Sequence, residues 1–275
     1  MEMMHQAEDI IFDEWMLCPI YYYVDIYMAQ QNLENLSTSP LGFKFFMNAS
    51  NVTDTLKVCT GPDPDTIDPA LNSAVDGGTM IDHAFEGLYT VAYGTTPTPG
   101  QAESVEISED GLTYTFHLRE GLKWSDGTPL TAHDFVYSWQ RAVDPKTASP
   151  FAGYLAQAHI NNAAAIVAGK ADVTSLGVKA TDDRTLEVTL EQPVPWFTTM
   201  LAWPTLFPVP HHVIAKHGDS WSKPENMVYN GAFVLDQWVV NEKITARKNP
   251  KYRDAQHTVL QQVEYLALDN SVTGY

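Results

Sequence analysis

The stretch "LREGLKWSDGTPLTAHDFVYSWQRAVDPKTASPFAGYL", residues 118–155, decides the fold because it joins the end of a strand to an amphipathic helix. Upstream of it, Tyr114, Phe116 and Leu118 alternate with Thr113, Thr115 and His117, the period of a strand with one face in a core. A turn at Glu109-Asp110-Gly111 joins that strand to "SVEIS" as a hairpin. After a second turn, Ser125-Asp126-Gly127, Thr131 is a favourable N-cap with Asp134 at the third helical position. Phe135, Trp139 and Val143 then fall on one stripe of the helix. A further strand pair, "GVKATDDRTLEVTLEQP", turns at Asp182-Asp183, with Leu186, Val188 and Leu190 alternating. Hairpins mixed with helix-separated strands predict an α/β (mixed α+β) fold.

Working outward, the C-terminal third predicts a helix near His212 to Lys216, strands at Gly231 to Trp238 and Lys243 to Lys248, and a last strand "QVEYLAL". "VPWFTTMLAWPTLFPVP" reads as a short helix followed by a crossing segment. Toward the N-terminus, "LKVCT" reads as a buried strand, "GPDPDTIDPA" as an extended loop, and Thr79 to Gly87 as a helix. "NASNVTDT", Asn48 to Thr55, is small and polar throughout and reads as a linker, and "GFKFFM" as a short strand. Gln6 to Met16 has helical spacing of Ala7, Ile10, Ile11 and Trp15, with Pro19 helping to close the helix. Behind it, "CPIYYYVDIYM" places Tyr21 and Tyr23 on one strand face and Tyr22 and Val24 on the other, so both faces are expected to be covered.

The 275 residues are 44% apolar and 18% charged, the balance of an ordinary globule. A formal charge of −18 disfavours nucleic acid and anionic lipid as partners. No run of eighteen or more apolar residues is present, so no membrane insertion is expected, and "MEMMHQAEDI" is acidic where a signal peptide is basic. Cys18 and Cys59 are read as two buried thiols in strands, with a disulfide between them left open.

No catalytic constellation emerges: the G-x-S-x-G elbow, the GxxxxGK[ST] loop and GxGxxG are all missing, so no enzyme activity and no cofactor are expected. His211, His212 and His217 lack both the HExxH arrangement and an accompanying Cys or carboxylate cluster, and no metal is expected. "DGGT", Asp76 to Thr79, reads as a turn rather than an anion nest. Seven Trp, thirteen Tyr and eleven Phe, spread along the chain, are read as mostly core, with the remainder suited to line a cleft for a partly apolar ligand of varied shape.

Residues 118–155 resemble the extracytoplasmic oligopeptide-binding proteins of ABC importers, the peptide/nickel-type solute receptors. "DPAL" (Asp68 to Leu71), "FEGL" (Phe85 to Leu88), "VKATDDRTLEVTLEQPVPWF" and "YNGAFVLDQWVVNEKITARKNPKY" resemble the same family in its own order, from Leu56 to about Leu268. The resemblance implies the first lobe of a two-lobed clamshell, with core at 56–85 and 211–275 and an inserted subdomain at 86–210. "QAEDIIFDEWMLCPIYYYVDIYM" resembles the family's carboxy-terminal helix and strand, so residues 1–47 are expected to be that tail, joined through 48–55. On this reading the chain is circularly permuted with the second lobe deleted, and engineering is favoured over natural rearrangement. The tail strand is expected between Leu56 to Thr60 and "VEYLAL", its helix packed on the sheet, and deletion of residues 1–28 to abolish cooperative unfolding.

The family closes over an extended peptide and delivers it to an ABC importer. By resemblance, Ser73, Ala74 and Val75 lie along the peptide backbone, Asp76 and Gly77 continue that segment, Phe151 stands where an aromatic, usually Tyr, lies near the ligand, and Trp203 is a pocket residue. Phe151 lacks the hydroxyl, and "DGGT" departs from the commoner sequence. The expected function is that of an isolated ligand-binding lobe with weak or lost peptide binding; the alternative is a folding module that self-associates through its exposed cleft. The resemblance implies a periplasmic or extracytoplasmic parent, with this chain expected to stay cytoplasmic when expressed.

Overall fold

The computed structural model describes residues 2–21, 27–39, 42–51, 53–92 and 96–267. Contacts divide the chain into two units, Met1–Gln31 and Asn32–Tyr275. The first holds helix α1 (Glu2–Asp13), whose residues are all outside the core. It starts and ends earlier than expected, and Trp15 just beyond it takes a left-handed φ of 54°. Of its apolar stripe, Ile10 and the following Trp15 are exposed and Ile11 is half-buried. Cys18 is exposed as well, and Tyr21 is 74% exposed rather than covered. The expectation for Tyr22 to Val24 lies outside the described residues.

In the second unit the elements are β1 (Ser37–Thr38), β2 (Lys44–Phe45), β3 (Thr55–Gly61), α2 (Val75–Ala84), β4 (Tyr89–Thr90), β5 (Thr98–Pro99), β6 (Ala102–Ile107), β7 (Thr113–Leu118), α3 (Ala132–Val143), α4 (Ala152–Gln157) and α5 (Ala163–Val167). They continue with β8 (Val178–Asp182), β9 (Thr185–Thr189), α6 (Phe197–Met200), α7 (His211–His217), β10 (Phe233–Val239), β11 (Lys243–Lys248) and β12 (Gln262–Ala267). The fold is mixed α+β, as expected. One four-stranded sheet has the order β6-β7-β9-β8, antiparallel throughout. The other has the order β10-β11-β12-β3, with β12 and β3 parallel.

That last pairing overturns an expectation. Val263 lies opposite Leu56 and Tyr265 opposite Val58, so the facing edges of β12 and β3 are already hydrogen-bonded to each other and leave no place for the tyrosine strand between them. Cys59 sits in β3 as predicted but is exposed, because the alternation that turns Leu56 and Val58 toward the core turns Lys57 and Cys59 away.

The described residues among 48–55 are better anchored than a flexible connector. Ala49 is fully buried, Ser50 and Glu34 exchange backbone hydrogen bonds at 3.0 and 3.1 Å, and the Asp54 carbonyl accepts from the Gln261 and Gln262 amides. The "DGGT" turn also becomes something else: α2 begins at Val75, four residues before the expected start, with Gly77 and Gly78 in its first turn. A Cβ on Gly77 would collide with the Asn72 Oδ1, so glycine here answers a close approach rather than a turn.

Two buried ion clusters brace this layer. Arg141 of α3 grips Asp68 with both nitrogens at 2.9 and 2.5 Å, and Asp68 also accepts the Ala70 amide. Beyond the other end of α2, Glu86 accepts from Gln101, Tyr252 and Arg253 at 2.5–2.7 Å. Breaking either cluster from one side strands a buried charge, which costs about 3–5 kcal/mol.

Candidate functional site

The loop before α2 is shaped from the Asp68 end. Asn72 donates its amide hydrogen to the Asp68 carbonyl at 3.0 Å and its side chain to the Ala74 carbonyl at 2.9 Å, which leads the chain into the helix through an extended Ala74. Ser73, Ala74 and Val75 are exposed, Val75 by 49%, while Asp76 is half-buried and Gly77 buried. The predicted backbone segment is therefore an open edge at the start of a helix. Partial burial raises the Asp76 carboxyl above its ordinary range, with the Lys44 ammonium pulling it partly back.

Phe151 and Trp203, fifty-two positions apart in sequence, meet in space. Their ring centroids are 5.4 Å apart at 75°, an edge-to-face contact, and Tyr154 lies 5.7 Å from Trp203 on a more parallel plane. Trp203 is held from its own segment too. The Trp139 indole of α3 donates to the Leu206 carbonyl at 2.9 Å, and the Val209 amide donates to Ser138 Oγ at 2.7 Å, fixing residues 206–209 against α3. Burial pushes the Tyr154 phenol up to about 12, and its hydroxyl donates to the Met200 carbonyl at 3.3 Å. The Trp203 Nε1 is buried with no hydrogen-bond partner among the described residues, an omission that costs roughly 1–3 kcal/mol.

The two halves of the predicted site are joined by residues that sequence reasoning missed. Phe43 lies 5.9 Å from Trp203 and against Gly78 of α2, and Gly42 sits within reach of the Val75 side chain. Tyr154 had a signal available, since it stands three residues from Phe151 at helical spacing. Phe43 had none: "GFKFFM" reads only as a short strand.

Elsewhere the polar groups are structural. His83 is fully buried between Phe46 and Tyr265; its Nε2 accepts the Phe46 amide at 3.0 Å, so the proton sits on Nδ1 and goes to the Tyr265 hydroxyl at 2.8 Å. Burial lowers this imidazole to about 3. Asp82, its neighbour on α2, is pushed well up by burial, and its Oδ2 has no hydrogen-bond partner among the described residues. His212 pairs with Asp126 at 2.9 Å beside a shallow cleft of about 320 Å³ that also includes His217 and Glu225. No group of three or more His, Cys, Asp or Glu suited to a metal occurs among the described residues. No described helix is long and apolar enough to cross a membrane.

Comparison with known proteins gives a consistent picture. The profile of the bacterial extracellular solute-binding proteins, family 5 Middle, matches residues 96–274. The chain is 80% identical over 213 residues to the probable deoxycholate-binding periplasmic protein YgiS of Escherichia coli, covering 78% of this chain and 40% of that one. It is 50% identical over 213 residues to the periplasmic oligopeptide-binding protein OppA of Salmonella typhimurium, covering 78% and 39%. Among solved structures, Haemophilus influenzae OppA in complex with RPPGFSPFR superposes with a TM-score of 0.78 at 40% identity, over 80% of this chain and 43% of that one. The chain thus spans about two-fifths of the length of the curated relatives it matches. These relatives are solute-binding proteins and not enzymes.

Proposed function

The chain belongs to the bacterial extracellular solute-binding proteins of family 5, and on that premise we propose that residues 32–275 supply one wall of a solute site. The exposed edge Ser73, Ala74 and Val75, continued by Asp76 and Gly77, is read as the strip along which an extended ligand lies. Phe151, Tyr154 and Trp203 form the aromatic side of the same wall. The observation that carries this reading is the edge-to-face contact of Phe151 with Trp203, linked through Phe43 to the start of α2. An open apolar surface beside an exposed chain edge suits an oligopeptide, held by backbone hydrogen bonds with loosely housed side chains.

A single wall buries one side of a ligand, whereas ligand sites usually bury most of it. By themselves, therefore, these 275 residues bind peptide weakly. Isothermal titration calorimetry with tri- to pentapeptides tests this: binding at micromolar strength or tighter would overturn it. A second ligand is favoured by the 80% identity to a probable deoxycholate-binding protein and by the hydroxyl-free Phe151. A rigid amphipath laid on Trp203 and Phe151 is the same aromatic wall used differently. A deoxycholate titration in the same experiment separates the two ligands.

The domain division that fits this reading places the core at 56–85 and 211–275, which supply β3 and β10 to β12, and the inserted subdomain at 86–210, which supplies β6 to β9. Residues 1–47 are read as the family's carboxy-terminal segment placed ahead of the first lobe, a circular permutation. Its support is that Phe43, Phe45, Phe46 and Met47, which precede the first-lobe body in sequence, are core residues of the same unit as that body.

A further inference from the structure

We propose that Phe43 is the positioning residue for Trp203, and that Gly78 is glycine so that the Phe43 ring can fill this role. The inference rests on the site reading above but is carried by separate contacts. Phe43 is buried and is held on three sides. Its amide donates to Ser39 Oγ at 3.2 Å while its carbonyl accepts the Ser39 amide at 2.8 Å, which ties Phe43 to Ser39 from both sides of its backbone. Gly42 has a φ of +86°, a conformation open to glycine at little cost. Three residues on, the Phe46 amide is tied to His83 and its ring stacks on that imidazole at 4.9 Å, which anchors the segment to α2. The Phe43 ring itself lies over Gly78, where a Cβ would stand 2.5 Å from Cε1.

With its backbone anchored and its ring lodged on the helix, Phe43 presents a tilted face to Trp203 at 5.9 Å and 52°. Phe151 and Tyr154 approach Trp203 from α4 and the residue that precedes it, so the indole is held by rings from two separate parts of the chain. The Trp203 Nε1 makes no hydrogen bond of its own among the described residues, so no polar contact fixes the indole's orientation; ring packing does. Removing Phe43 takes away the contact between the indole and the start of α2, and Trp203 is then free to adopt more than one rotamer. The segment that reads as an unremarkable short strand thus sets the geometry of the wall that meets the ligand.

The test uses the full chain labelled with 5-fluorotryptophan, with the Trp203 resonance identified by its loss in Trp203→Phe. In Phe43→Leu and, independently, in Gly78→Ala, that resonance is expected to split or broaden by exchange, whereas mere loss of a neighbouring ring only moves a single sharp line. Gly78→Ala is expected to add nothing in the Phe43→Leu background, because the clash it creates is with the missing ring. Trialanine and sodium deoxycholate, the latter below its micellar concentration, serve as binding probes. Phe43→Leu is expected to weaken whichever of them binds by about tenfold in the native background and not at all in Trp203→Phe. A single sharp Trp203 line in both Phe43→Leu and Gly78→Ala overturns the proposal, as does equal loss of probe binding in the two backgrounds. If the line splits while Trp203→Phe leaves both probes unaffected, the positioning role stands and the ligand-wall reading fails.

Discussion

Residues 1–31 and residues 32–50 follow one another in sequence, yet they behave as two kinds of polypeptide. In the first, Ile10, Trp15, Ile20 and Tyr21 are all exposed, and α1 buries nothing. In the second, Phe43, Phe45, Phe46, Met47 and Ala49 are all buried, and the Phe46 amide is bonded to a histidine 37 residues away. Composition does not separate them, since both are rich in large apolar side chains. What separates them is a partner: Gly78 makes room for Phe43, and His83 offers an acceptor to Phe46, whereas no described residue of α1 enters the core. A hydrophobic pattern states a demand for burial, and only another surface meets it.

The strongest way to break this comparison is Phe46→Ala. Removing a ring that stacks on a buried imidazole is expected to cost about 3–5 kcal/mol, read as a loss of denaturation midpoint in urea. A cost under about 1 kcal/mol would mean that the second segment is as dispensable as the first.

Acid sharpens the same point through His83. The unfolded imidazole takes a proton near 6.5 while the folded one waits until about 3, so the unfolded chain binds more protons throughout that window. Stability therefore falls as pH drops below 6.5, by about 2–3 kcal/mol on reaching pH 4.5. Thermal melts across pH 4.5–7 check this, and the slope is expected to flatten in His83→Gln, whose amide keeps an acceptor for Phe46.

Asp82, one residue before His83, runs with the opposite sign. Burial raises its folded carboxyl above the unfolded 3.8, so the folded state holds the extra proton and stability falls as pH rises past 3.8. Asp82→Asn removes that slope, so its stability relative to the native chain is expected to rise between pH 4 and pH 7. Urea titrations at the two pH values measure it.

The smallest effect is expected from deleting residues 1–31. Because no described residue there is buried, the remaining chain should melt cooperatively with Tm within about 3 °C of the full chain. This reverses what the tyrosine run suggests when read alone. Loss of the cooperative transition would mean that this N-terminal segment is structurally integral after all.

The hairpins and helix of residues 102–189 were legible because their signals are local. Alternation in Tyr114, Phe116 and Leu118 and the Thr131 to Asp134 capping pattern need no distant partner, and the Thr131 amide does meet the Asp134 carboxylate at 2.9 Å. The start of α2 was misplaced because Gly77 and Gly78 look like a turn until the side chains crowding them, Asn72 and Phe43, are seen. In the candidate site, Phe151 and Trp203 were legible only by resemblance, and Tyr154 by its spacing from Phe151. Phe43 carried no signal, because its role is set by a helix thirty-five residues away.

The amino-acid sequence by itself determined the mixed α+β class, the hairpins, the acidic surface and the absence of a recognisable catalytic motif, since each follows from composition or from a period of two or 3.6 residues. Tertiary structure alone decided that β3 pairs directly with β12, that Phe43 joins α2 to Trp203, and which apolar segment lies in the core. Those outcomes depend on which surfaces find one another across long separations, and local periodicity carries no record of that choice.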